Sequence, residues 1–249
     1  MMAYIVPLLV AAVSVVTMQN TRNATEIVRT MDEKLKGKTS QAEITVQIIR
    51  PSWQRDLSMR VWTKGSDYSM VYITAPVREK GNVFLKRNKE VWNRVPAIEK
   101  TIKLPPSMMS QAWMGTDFTN DDLVKHSSVV TDYTHTLESE ADVDGSKCYK
   151  IVMIPKPNAS VVWGKIISYI DKKEYVQRRV EYYDEDNELI NVLRGTNLKQ
   201  FGGKVLASRI EMTPQGKPGH KTVMIYASLQ YDKPIDDKFF STSNMEKVK

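Results

Sequence analysis

The chain has 249 residues, 41% hydrophobic and 26% charged, with a net charge of +7. This is an ordinary globular composition, and one domain of this length buries roughly 70–75% of the surface its unfolded chain exposes. The basic residues are dispersed among Asp and Glu rather than gathered into an aromatic-interleaved stripe, which excludes nucleic acid as the expected partner.

Met1 to Asn20 carries no charged side chain, and Ala3 to Val16 is almost wholly apolar. An apolar run of about fourteen residues is short of the ~20 needed to span a membrane and suits the core of a signal peptide. Residues 1–20 are therefore expected to be a signal peptide, with a retained N-terminal anchor as the alternative. In NATEIVRTMDEKLKG, Ile27, Met31 and Leu35 recur every four residues with Val28 beside them. Asn23 and Glu26 form a capping-box-like start, and Gly37 is placed to stop the helix. So short a helix must lay its apolar stripe on something, and it is expected to cover a sheet.

From Gln41 the period becomes two. Ile44, Val46 and Ile48 oppose Thr45 and Gln47, and Leu57, Met59 and Val61 oppose Ser58, Arg60 and Trp62. SDYSMVYITAP, NVFLKR, KEVWNRVP and IEKTIKLP continue this rhythm across short polar turns. Further on, VVTDYTHTLESE, KCYKIVMIPKP, VWGKIISYID, YVQRRVEYYD, ELINVLRGTNL, VLASRIEMTP and TVMIYASLQYD resume it. With no alternating helices, this spacing predicts an antiparallel meander of roughly a dozen strands. Such a sheet curls, and its concave face needs filling or covering. Only the 24–36 helix and the opening stretch offer themselves as cover.

The stretch LPPSMMSQAWMGTDFTNDDL, 104–123, interrupts the sheet. Pro105 and Pro106 end the preceding strand. Ser107 is a good N-cap, Met108, Met109, Ala112 and Trp113 would share one helical face, and Gly115 would stop the helix. Thr119 is expected to cap a second short turn, with Asp121 and Asp122 in its positive first turn. A Met-rich face fills an irregular core or forms a deformable surface for a flexible apolar ligand. Its place at a break in a large sheet favours the second reading, a lid.

Catalytic signals are missing. His126, His135 and His220 lie in polar contexts without metal-ligand spacing, and no H-E-x-x-H, C-x-x-C, G-x-S-x-G or phosphate loop occurs. YYDEDNEL lacks the glycine and final acid of a calcium loop and reads as a hairpin turn, as does Gly202-Gly203. Cys148, the sole cysteine, sits in the strand-like KCYKIVMI and is expected to be a buried structural thiol. No enzyme, cofactor or metal is expected.

KLPPSMMSQAWMGTDFTNDDLV, preceded by VFLKRNKEVWNRVPAIEK and followed by CYKIVMIPKP and VWGKI, resembles the outer-membrane lipoprotein-sorting protein family, relatives of the periplasmic carriers LolA and LolB. The resemblance implies a mainly β fold over residues 24–249, a single curled antiparallel sheet forming an unclosed barrel of about eleven strands with short lid helices. It implies a monomeric periplasmic carrier that holds the acyl chain of a lipoprotein or lipid for transfer towards the outer membrane. An accessory subunit docking on an exporter of the resistance-nodulation-division type is the alternative. The expected lid residues are Met108, Met109, Ala112, Trp113, Met114 and Phe118. The expected cavity residues are Leu104, Ile102 and Trp92 from the sheet, and Ile27 and Met31 from the helix. A lid-binding arginine is also implied; Arg50, Arg55 and Arg60 are candidates, and none is assigned.

Overall fold

The structure, a computed structural model, describes residues 23–125 and 129–249. The expected signal peptide and His126 lie outside the described residues. One helix, α1 (Ala24–Lys36), precedes six strands: β1 (Thr39–Arg50), β2 (Trp53–Lys64), β3 (Tyr68–Ala75), β4 (Val83–Arg87), β5 (Glu90–Val95) and β6 (Lys100–Lys103). The interrupting stretch follows. Among the described residues seven more strands come next: β7 (Tyr133–Val143), β8 (Ser146–Pro155), β9 (Lys165–Asp171), β10 (Gln177–Tyr183), β11 (Leu189–Phe201), β12 (Lys204–Pro214) and β13 (Lys221–Tyr231).

All thirteen strands form one sheet in the order β6-β5-β4-β3-β2-β1-β13-β12-β11-β10-β9-β8-β7. Each strand-like segment of the sequence forms one strand, so the described residues carry thirteen strands where about eleven were expected. Two meanders meet where β1 pairs antiparallel with β13. The consequence is topological: β6 and β7, consecutive in the chain, are the two free edges of the sheet. The segment between them must cross from one edge to the other, and it does so over the open side of the curled sheet.

α1 forms as its sequence predicts. The Asn23 side chain accepts from the Thr25 N–H at 2.9 Å, and Gly37, at φ 63°, closes the helix by donating its N–H to the Glu33 carbonyl. Ile27, Val28 and Met31 are buried in the concave core with Val46, Ile48, Leu57 and Ile73. Thr25 Oγ1 lies 3.1 Å from His135 Nδ1, and His135 Nε2 lies 2.7 Å from the Val129 carbonyl. His135 is thus a half-buried link between α1, β7 and the end of the crossing segment, not the solvated histidine its polar neighbours imply. Burial holds its pKa below the usual 6.5. Between that lowered value and ~6.5 the unfolded chain binds more protons than the folded one, so stability falls as pH drops through this window. Melting temperatures from pH 7.5 to 5 are expected to show this decline, and His135→Gln should flatten it.

The sheet is apolar on both faces because both are covered. On the convex side Met70, Tyr72, Val83 and Leu85 pack with Phe240, Met245 and Val248, with Trp62, Trp92 and Phe239 at the margin. The cover is the C-terminal segment, folded into short turns at Asp237–Phe239 and Thr242–Asn244. Sequence patterning offers only helices as cover, whereas an irregular segment with well-spaced Phe and Met does the same work. Within the sheet, Gly195 of β11 admits no side chain: a Cβ there would lie 2.3 Å from the Gln177 carbonyl oxygen and 3.1 Å from the Ala207 Cβ. Gly195→Ala is therefore expected to cost ~1–3 kcal/mol by overpacking, measurable as a lower denaturation midpoint.

Candidate functional site: a lidded apolar cavity

The crossing segment is not the α-helix its methionine spacing suggests. It forms a short 3-10 turn at Pro106–Met108, a second at Trp113–Gly115 and a π-type turn at Asp121–Lys125. The reason lies in its hydrogen bonds. Trp113 N–H donates to the Phe118 carbonyl, Asn120 N–H to that of Gln111 and Asp121 N–H to that of Met109. These pairings fold the segment back on itself like an irregular hairpin, and Ala112 and Thr119 form an isolated bridge. Ser107 therefore caps nothing; Pro105 occupies the N-cap position. The second expected turn does form with its cap: Asp122 N–H donates to Thr119 Oγ1 at 3.1 Å, and Thr119 N–H donates back to Asp122 Oδ2 at 2.8 Å.

Beneath this segment lies a cavity of about 310 Å³. That is roughly twenty times the ~10–15 Å³ that admits one water, and it falls at the small end of ligand sites. Its wall is mostly apolar: Ile44, Met59, Val71, Met153, Ile166, Val180, Leu193, Met224 and others from most of the sheet, with Met31 and Leu35 from α1. Trp113 and Phe118 close it from the lid side, and the Trp113 ring packs against Phe84 at 5.6 Å between centroids. Trp163 and Tyr182, 5.0 Å apart between ring centroids, complete that end. Trp163 Nε1 donates to Asp122 Oδ1 at 2.9 Å, and burial raises the Asp122 pKa despite that bond. At the other end the wall runs out to Gly65 and Ser66, which are exposed. The cavity thus reaches the surface at the β2–β3 turn.

Charge fixes the lid to the rim. Met114 and Gly115 both have positive φ, 47° and 78°. This turn aims two successive carbonyls outwards: Arg50 Nη2 donates to Gly115 O at 2.9 Å, and Arg55 Nη2 donates to Met114 O. Arg50 Nη1 also pairs with Asp117 Oδ2 at 3.0 Å, both side chains being about nine-tenths buried. The Asp117 N–H donates to Thr222 Oγ1 at 2.9 Å, and the Thr222 hydroxyl donates to Asp117 Oδ2 at 2.7 Å. β1, β2 and β13 thus grip one short lid turn. Arg60, the third candidate, pairs with Glu43 instead.

The expected site residues separate into groups. Trp113, Phe118 and Met31 stand on the cavity wall. Ile27 and Met109 are buried in the same core without reaching the wall, and Leu104, Met108 and Met114 pack against it half-buried. Ala112 is exposed, and Ile102 is 44% exposed on the edge strand β6. Trp92 belongs to the convex cluster, on the other face of the sheet. Sequence reading missed Trp163, Tyr182 and Lys86, although the alternation in VFLKR places Lys86 beside Phe84 on the inner face. It also missed Asp117 and Thr222, for which no local signal exists. Among the described residues no group of three or more His, Cys, Asp or Glu is placed to hold a metal. Cys148 is buried, and burial pushes its thiol up to about 11, far from a reactive thiolate.

A protein-family model described as "Uncharacterized protein" matches residues 65–247. No curated protein matches the sequence. Solved structures similar to this chain include a DUF1329 family protein from Desulfovibrio piger, with a TM-score of 0.82 and 22% identity over 89% of this chain and 97% of that one. A domain assigned to the outer membrane lipoprotein-sorting proteins, from Vibrio parahaemolyticus, has a TM-score of 0.80 and 20% identity over 90% and 98% of the two chains. A LolA superfamily protein from Nitrosomonas europaea has a TM-score of 0.78 and 21% identity over 89% and 99%. At these identities the likeness establishes the fold. The chain belongs to the family whose model it matches, and its fold is the LolA-like open barrel of the outer-membrane lipoprotein-sorting proteins.

Proposed function

We propose that this protein is a non-enzymatic carrier that encloses the acyl chain of a lipid or lipoprotein and works in the periplasm. The observation that carries this reading is the cavity of about 310 Å³, apolar along most of its wall and roofed by a loop held on through polar contacts. A carrier needs both features. Burying each methylene is worth roughly 0.8 kcal/mol, so one chain supplies affinity with few polar contacts. The polar contacts clasp the rim of the roof, while Trp113 and Phe118 seal its inner side against the apolar core. The fold shared with lipoprotein-sorting proteins supports the same reading.

Native mass spectrometry of protein purified from a bacterial envelope tests it. The expected result is a bound lipid mass. Ile210→Trp, which places a larger ring on a half-buried part of the wall, is expected to reduce lipid occupancy at least ~2-fold while the sheet stays folded. Wild-type protein free of lipid, or equal occupancy in both forms, would remove the carrier reading. A stoichiometric complex with an inner-membrane exporter and no lipid would favour the docking alternative.

A further inference from the structure

We infer that the lid end of the cavity is a hydroxyl-binding site, so that the ligand is an apolar molecule whose enclosed end carries an alcohol. This rests on the carrier reading and adds the chemistry at the ligand's buried end. Asp122 from the crossing segment, Tyr133 from β7, Trp163 and Tyr182 from β10 meet on the wall there. Trp163 ties them together. Its Nε1 donates to Asp122 Oδ1 at 2.9 Å, its ring packs on that of Tyr182 at 5.0 Å between centroids, and its carbonyl lies 3.5 Å from the Tyr133 hydroxyl. The Tyr182 hydroxyl has no hydrogen-bond partner among the described residues, although its side chain borders the cavity. Burial first, then the nearby Asp122 and Tyr133, holds its pKa well above the usual 10, so it stays a donor.

Asp122 offers the complementary half. It accepts from Trp163 Nε1 and from the Thr119 N–H, and a carboxylate has about four acceptor positions, so capacity remains. Towards the open end, by contrast, polar side chains of the wall satisfy one another: Lys36 pairs with Asp32 at 2.8 Å, and Ser40 Oγ with Thr63 Oγ1 at 2.7 Å. They ask nothing of a ligand. At the lid end a ligand finishing in hydrocarbon would leave a phenol and a carboxylate desolvated without a new partner. An alcohol accepts from Tyr182 and donates to Asp122 at once; an ether serves only the first, and an ammonium only the second. Two scaffolds share this chemistry, a chain with a terminal hydroxyl and a fused-ring alcohol.

Trp113 and Trp163 stand on the wall, so intrinsic fluorescence reports binding. The test titrates two probe series delivered from methyl-β-cyclodextrin: palmitate, ω-hydroxypalmitate and ω-methoxypalmitate, and cholestane, cholestanol and cholestanol methyl ether. In at least one series the alcohol is expected to bind about tenfold or more tightly than its parent, as hydrogen bonding to a charged acceptor supplies, and more tightly than the ether. Which series shows this identifies chain or ring. Tyr182→Phe keeps the ring on Trp163 and removes only the hydroxyl; it should cut the preference to about threefold or less and leave the parent's binding unchanged. Tyr226→Phe removes another wall hydroxyl, from the middle of β13 opposite Ile44, and should retain the preference. Equal binding of alcohol and parent in both series, an ether as tight as its alcohol, or a preference that survives Tyr182→Phe overturns the inference and leaves the carrier intact. Binding of no probe overturns both. Should Tyr182→Phe fail to fold, the ranking of alcohol, ether and parent on wild type decides alone.

Discussion

Asp117→Ala is expected to lower the free energy of unfolding by about 3–5 kcal/mol, the cost of removing one partner from a buried ion pair. Asp117 and Arg50 are both about nine-tenths buried, and the guanidinium left behind would keep its charge with its counter-ion gone. The loss extends further, because the Thr222 hydroxyl, on a residue with no exposed surface, donates to the same carboxylate oxygen. Asp117→Asn retains an acceptor for that hydroxyl but not the charge, so its cost should fall between alanine and wild type. Urea unfolding gives the magnitudes. Hydrogen exchange gives the location: amides from Trp113 to Asp121 should exchange faster in Asp117→Ala, while those of β8 to β12 do not. The lid's own hydrogen bonds join irregular turns and form no continuous ladder with the sheet, so once unclasped the segment opens locally. A cost under ~1 kcal/mol with unchanged exchange would show that the Arg50–Asp117 pair does not hold the lid.

Trp113→Ala should be comparably costly, about 3–5 kcal/mol, as for other large aromatic residues truncated in a core. Trp113 is 1% exposed and packs its ring on Phe84. Its Nε1 is buried without a hydrogen-bond partner among the described residues. That separates two substitutions. Trp113→Phe keeps most of the ring volume and removes the unpaired donor, whose burial costs ~1–3 kcal/mol. It is therefore expected to lose much less than alanine, within ~1.5 kcal/mol of wild type. Thermal and denaturant unfolding of the two variants decide the matter. If phenylalanine proves as damaging as alanine, the indole N–H has a role that ring packing does not explain.

The period-two alternation of Ile44, Val46, Ile48 and their counterparts made the strands and the inner face legible, because side-chain direction in a strand depends only on sequence parity. The caps of α1 and of the Thr119 turn were legible for a similar reason: donor and acceptor lie within three residues of each other. The lid's place at a break between strands was legible too, since two prolines must end the strand before it. Its backbone was not. Met108, Met109, Ala112 and Trp113 have helical spacing, but the pairing of Trp113 with Phe118 and of Asp121 with Met109 satisfies the same N–H groups differently.

What the chain's order of residues determined alone, then, is a large antiparallel sheet, a capped helix with one apolar face, and an interruption where a cover belongs. The tertiary structure decided everything that joins residues distant in sequence. It made β6 and β7 the free edges, and thereby obliged the segment between them to roof the cavity. It brought Arg50 and Thr222 to Asp117, and Lys36 and Lys86 to Ser66. It laid the C-terminal Phe240 and Met245 over the outer face, sending Trp92 away from the cavity. Local periodicity fixes which way a side chain points, but not what it meets there; that depends on which strands become neighbours and how the sheet curls.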